Sequence, residues 1–225
     1  MDNINVIYIL FVSIFVPILL MALLVEEKAR LPILFMLVGI FVSVFASEVN
    51  GLLEKTLPLS KYEMTVTVTP VTEEICKALP VFYYALVLSD KKEKLFTASM
   101  ATGVGFAVLE NAFYLLNSPN FSMLNAVTRA FGAGLMHGMC TLLVGVGISF
   151  VRKKSKLFAV GTFGLLSTAI VYHGIYNILI QSEYSIVGTL LPIATYIPFF
   201  IWRLFIKQRR VLQAAGKEQV PKKGV

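Results

Sequence analysis

Seven apolar stretches, each about long enough to cross 30 Å of hydrocarbon, constrain this chain more than any other feature. They fall at 4–25, 32–53, 64–88, 95–116, 126–151, 157–180 and 184–206. Between them lie short polar segments and no composition break, so the 225 residues read as one membrane domain with no separate soluble unit. The expected fold is an all-α, polytopic transmembrane bundle of about seven spans. The domain covers 1–206 and is followed by a basic, disordered cytoplasmic tail at 207–225. The first stretch lacks a basic n-region and a small-residue cleavage site, and is expected to be a retained helix.

The net charge of +7 would suit a nucleic-acid binder if it were gathered on one surface. Instead it is dealt out between spans. Lys28 and Arg30 lie in the first loop, Lys91, Lys92 and Lys94 in the third, and Arg152, Lys153, Lys154 and Lys156 in the fifth. The fourth and sixth loops, 117–125 and 181–185, have no Lys or Arg. This alternation gives N-terminus out and C-terminus in, with Arg203 beside Trp202 at the inner interface. The second loop, with Lys55 and Lys61, departs from it. Cys76 and Cys140 stand alone in apolar runs and read as packing residues.

Ionisable groups within a span are expensive and point to function. The third span carries Glu73, Glu74 and Lys77; the fourth Glu110, followed by Asn111; the fifth Arg129 and His137; the sixth His173 and Asn177. With the stated topology and 1.5 Å per residue, Glu74, Glu110, His137 and His173 fall about 9 to 16 Å below the outer surface. Four helices of alternating direction thus bring their polar groups to one layer. The expectation is a single hydrated cavity opening outward. Pro70 and Pro80 bracket the Glu73–Lys77 turn and should distort it. Gly134 and Gly138 around His137, and Gly103 and Gly105 before Glu110, should allow close helix approach.

A carboxylate able to take a proton from water, two histidines, and neutral donors such as Asn111 and Asn177 suit hydrolysis of an amide. A paired-aspartate site is excluded, because Asp2 and Asp90 both lie outside the spans. No HExxH occurs. No cofactor is required by this reading, although a zinc ion held by His137, His173 and either Glu74 or Glu110 stays open. A proton- or cation-coupled transporter would use similar residues, but no inverted repeat is visible. A non-catalytic binding or immunity protein is a further alternative.

EEICK at 73–77, FAVLEN at 106–111, RAFGAGLMH at 129–137 and HGIYN at 173–177 resemble, in order and spacing, the four motifs of the PrsW family of intramembrane proteases. That family belongs with the CAAX prenyl protease type 2 enzymes in a glutamate-dependent superfamily. The resemblance implies endoproteolysis of a membrane-anchored, anti-sigma-factor-like protein in the cell membrane, with first cleavage on the extracytoplasmic side. It implies that Glu73 or Glu74 activates water with help from His137, and that His173 and Asn177 stabilise the oxyanion. Lys77, Glu110, Asn111 and Arg129 would orient these groups and balance their charge. Asn177 departs from the aspartate frequent at that position, which argues against direct proton transfer there.

Overall fold

The computed structural model describes residues 3–117, 123–150 and 155–218. The described residues form α1 (Asn3–Leu24), α2 (Glu27–Thr56), α3 (Lys61–Glu63), a π-helical turn (Met64–Val68), α4 (Thr69–Val87), α5 (Lys92–Asn117), α6 (Met123–Ile148), α7 (Ser155–Ile180) and α8 (Ser185–Glu218). No strand occurs among them. Each helix except the short α3 covers one of the seven apolar stretches, the third stretch taking in the π turn and α4.

By length and composition, five helices can cross a membrane: the segments Val6–Leu24, Ala29–Thr56, Lys92–Asn117, Ala126–Ile148 and Phe158–Ile180. α8 contributes a shorter apolar part, Ser185–Ile201. It continues as helix to Glu218, into the segment expected to be a disordered tail. The stretch after Phe205 is rich in Lys, Gln, Arg and Ala, which favour helix, and meets no proline before Pro221. Residues 219–225, the cluster 152–154, most of the fourth loop, and the Trp202 and Arg203 side chains lie outside the described residues.

α4 is built inside out. Val71, Ile75, Leu79 and Tyr83, at four-residue spacing, are exposed, while Glu73, Glu74 and Lys77 are buried. In water this arrangement would be costly. In hydrocarbon it is the stable one, since the charges find partners only inside the bundle. The helical run that ends in α4 begins at a capping box. The Ser60 hydroxyl accepts from the Glu63 N–H, and the Glu63 carboxylate accepts from the Ser60 N–H at 2.8 Å. The Ser60 hydroxyl also donates to that carboxylate at 2.7 Å, and this bond, with the one from the Ser60 N–H, holds the exposed Glu63 carboxyl below its ordinary range.

α2, α5 and α6 approach main chain to main chain. A Cβ on Gly39 would collide with the Thr102 carbonyl, one on Gly105 with the Met36 carbonyl, and one on Gly103 with the carbonyl of His137. The expectation for the glycines beside His137 is only partly met. Gly134 faces open space, and Gly138 meets the flexible Met100 side chain. The close contact at His137 is made from the other side, by Gly103. Cys76 and Cys140 are free and buried.

Candidate active site

The site begins with a proline. Pro70 has no N–H, and the Thr69 N–H reaches back to the Met64 carbonyl in the π pattern. The Thr65 carbonyl is left short of a backbone donor, and the Asn177 amide of α7 supplies one at 2.9 Å. α7 comes close enough because residue 174 is glycine: a Cβ there would stand 3.0 Å from the Val66 carbonyl. The helix distortion expected from Pro70 is therefore a π turn, and Asn177 is bonded to it.

One turn further, Glu73, Glu74 and Lys77 enter the bundle. Lys77 Nζ donates to Glu74 Oε1 at 2.7 Å and lies 2.8 Å from His137 Nδ1. His173 Nδ1 lies 2.8 Å from the same Glu74 oxygen. His137 Nε2 lies 2.6 Å from Glu110 Oε2. These partners assign the tautomers. An ammonium can only donate, so His137 Nδ1 accepts and its Nε2–H donates to Glu110. A carboxylate can only accept, so His173 carries its proton on Nδ1. Its Nε2 lies 3.9 Å from Glu73 Oε2. The two rings meet edge to face, with centroids 4.9 Å apart.

Eight of the nine residues singled out in the sequence are joined through these hydrogen bonds and through ion-pair approaches of 3.9 Å. Arg129 donates from Nε to Asn111 Oδ1 at 3.1 Å, and the Asn111 amide donates to the Arg129 carbonyl, tying α5 to α6. The Arg129 guanidinium lies over the Tyr114 ring and 3.9 Å from Glu110. Asn177 stands apart from the charged network, occupied with Thr65. Glu73 has a buried Oε2 without a hydrogen-bond partner, as has Glu74.

A ligand atom from each of Glu73, His137 and His173 lies within 4.8 Å of the others, and all three residues are buried. This differs from the carboxylates first considered for zinc. Glu74 and Glu110 each sit behind a histidine as its hydrogen-bond acceptor, while Glu73 completes the ligand-spaced group. Carboxylates in that supporting position orient metal-binding imidazoles.

Two cavities flank the cluster. The first, about 170 Å³, is lined by Glu73 and Glu110 together with Ser43, Ser47, Asn50 and Glu54 of α2. The second, about 200 Å³, is lined by His137, Arg129, Tyr176, Asn177 and Gln181. Beyond Arg129 and Tyr176 a larger groove of about 750 Å³ runs along α8 past Ser185 and Thr189. The α2 residues escaped the sequence reading because the helix is strongly apolar on average. Their spacing of four, three and four residues is the signal that was there to find.

Chemically, the cluster offers an unpartnered carboxylate oxygen on a residue of the cavity wall and one imidazole nitrogen, His173 Nε2, without a hydrogen bond. Lys77 and Arg129 stand nearby as cations. It can take a proton from water and hold a negative oxygen. The model of the PrsW family intramembrane metalloproteases matches residues 27–203. No curated protein and no solved structure matches this chain.

Proposed function

We propose, from the premise that the chain belongs to the PrsW family of intramembrane metalloproteases, that it cuts a membrane-anchored protein at the Glu73–His137–His173 cluster. Membership makes the chain a membrane protease acting on a membrane-embedded protein substrate. The observation that carries the site is the convergence of one carboxylate and two imidazoles, from α4, α6 and α7, within 4.8 Å beside a cavity.

In this reading Glu73 activates the attacking water, because it lines a cavity and its Oε2 has no hydrogen-bond partner. Glu74 holds Lys77 and the His173 Nδ1–H and sets the ring so that Nε2 points into the site. Glu110 accepts from the His137 Nε2–H and fixes that ring, whose Nδ1 faces Lys77. Arg129, anchored on Asn111 and Tyr114, faces the second cavity as the donor for the developing oxyanion. Asn177 acts by fixing the π turn rather than by contact with the reacting carbonyl. The residues present fit the family's metal: two histidines and a glutamate are a known catalytic zinc set, and Glu73 offers a buried, orphaned oxygen. Glu73, His137 and His173 would hold such an ion, Glu73 then serving as a ligand in place of the base and His137 giving up one of its present hydrogen bonds. When bound, it would supply Lewis-acid polarisation of the scissile carbonyl and a more acidic water.

The arrangement in the bilayer is part of the same proposal. Seven spans cover 1–206, with the N-terminus outside and the C-terminal basic segment in the cytoplasm, so the cavities open to the extracytoplasmic side. Cleavage there would release a membrane-tethered regulator such as an anti-sigma factor. The alternation of basic and neutral loops supports this orientation.

The test is cleavage of a co-expressed, tagged, single-span protein by the wild type, Glu73→Gln and His173→Ala. Both substitutions are expected to abolish the cleaved product at unchanged expression. Full cleavage by either variant would overturn the assignment of the site.

A further inference from the structure

Ser43, Ser47, Asn50 and Glu54 form a polar stripe about 16 Å long on one face of an otherwise apolar helix. Such a stripe is unfavourable in hydrocarbon unless it faces water, protein or a ligand. Here it faces the first cavity, whose far wall is Glu73.

The hydrogen-bonding character of that cavity is lopsided. Glu54, Glu73 and Glu110 contribute carboxylates, and Asn50 Oδ1 is buried without a partner. No salt bridge engages Glu54 among the described residues. Lys61 is the one cation in the lining. Phe106, Phe113 and Met64 supply apolar walls. The second cavity shares Glu110 and Lys61 with the first but adds Arg129 and lacks Glu54 and Glu73, so its balance of charge is more positive. A group that only donates hydrogen bonds and carries an aliphatic stem matches the first cavity better than the second. Lysine and arginine side chains are such groups.

We infer that the α2 stripe is a specificity subsite for a lysine or arginine of the substrate close to the scissile bond. The inference deepens the proteolytic reading and rests on it. The basic head group reaches Glu54 and the Asn50 carbonyl oxygen, and the stem lies on the phenylalanines. Selection works from both sides, since an acidic residue there would meet Glu54 and Glu73.

The experiment uses purified full-length protein in proteoliposomes and a set of single-span substrates. Each residue flanking the cleaved bond is set in turn to Lys, Leu or Glu. At one position the wild type should favour Lys over Leu by at least about tenfold in kcat/KM, with Glu poorest. Glu54→Lys should invert the order to favour Glu. Asn50→Leu should reduce the Lys-to-Leu ratio. A flat profile in a cleaving wild type, or a preference untouched by Glu54→Lys, overturns the subsite and leaves the protease reading standing. A second readout is independent of turnover: a photoreactive side chain at position 47 in the His173→Ala background should crosslink the Lys substrate more than the Leu one. If the wild type cuts nothing yet crosslinking follows the lysine, the subsite stands and the hydrolytic assignment falls. Crosslinking indifferent to the lysine overturns the subsite.

Discussion

The side chain of Asn177 donates to the main-chain carbonyl of Thr65, 112 residues away, and Pro70 is the reason. Because residue 70 brings no N–H, the carbonyl needs a donor from another helix, and α7 supplies it. Asn177→Ala removes that donor and should destabilise by about 1 kcal/mol, the net worth of a part-buried hydrogen bond. In a Pro70→Ala background residue 70 regains its N–H, so the same substitution should cost less. Thermal unfolding of the four proteins in detergent measures the coupling. Equal costs in both backgrounds would disprove the link.

Glu73 and Glu74 are adjacent but should separate cleanly by mutation. Glu74→Gln leaves Lys77 buried with its ion pair broken, and should destabilise by about 3–5 kcal/mol. Glu73→Gln removes a carboxylate with no hydrogen bond. It should leave the melting temperature close to that of the wild type and lower cleavage by about 100-fold or more. Parallel melting and cleavage assays decide the matter, and the reverse pattern would exchange the two roles.

Metal content offers an independent reading of the cluster. Elemental analysis of protein purified without chelator should find a divalent metal of the zinc class. His173→Ala and Glu73→Gln should lose it, and Glu74→Gln should weaken retention by about 10- to 100-fold through the His173 ring. Exhaustive chelation should remove activity, and zinc should restore it. Full activity in metal-free protein would exclude a metal role.

Two glycines beside the same histidine should behave oppositely. Gly103→Ala forces a methyl group into the His137 carbonyl, and should cost about 1–3 kcal/mol and displace His137 from Glu110. Gly134 has open space at its Cβ position, so Gly134→Ala should stabilise slightly, by about 0.5–1 kcal/mol of helix propensity. Melting temperatures and cleavage rates for both variants make the comparison.

The membrane character and the charged cluster could be read directly from the chain, because the rule involved is severe. A charge inside a span must have a partner, so Glu73, Glu74, Lys77, Glu110, His137 and His173 announce themselves by type and depth. Hydrogen-bond direction could not be read in this way. Lys77 can reach either glutamate by helical spacing, and only the packing of α6 and α7 gives it Glu74 and His137. Asn177 looked like an oxyanion donor because nothing in the local sequence shows an orphan carbonyl on another helix. The α2 stripe was hidden by averaging, since small polar residues barely lower the hydropathy of a long apolar run. Gly134 and Gly103 show the same limit for packing, as a motif marks a capacity for contact without naming the partner.

The main-chain contacts at Gly39, Gly103 and Gly105 leave α2, α5 and α6 almost no play. When a bilayer thins or thickens, helices respond by tilting. A triplet seated backbone on backbone tilts as one piece and carries Glu110 and His137 with it. α7 is itself seated on α6 main chain to main chain, Gly147 against Gly161 and Thr162, so adjustment falls to α4. Lipid thickness thereby becomes a setting on the distance between Glu73 and the two imidazoles.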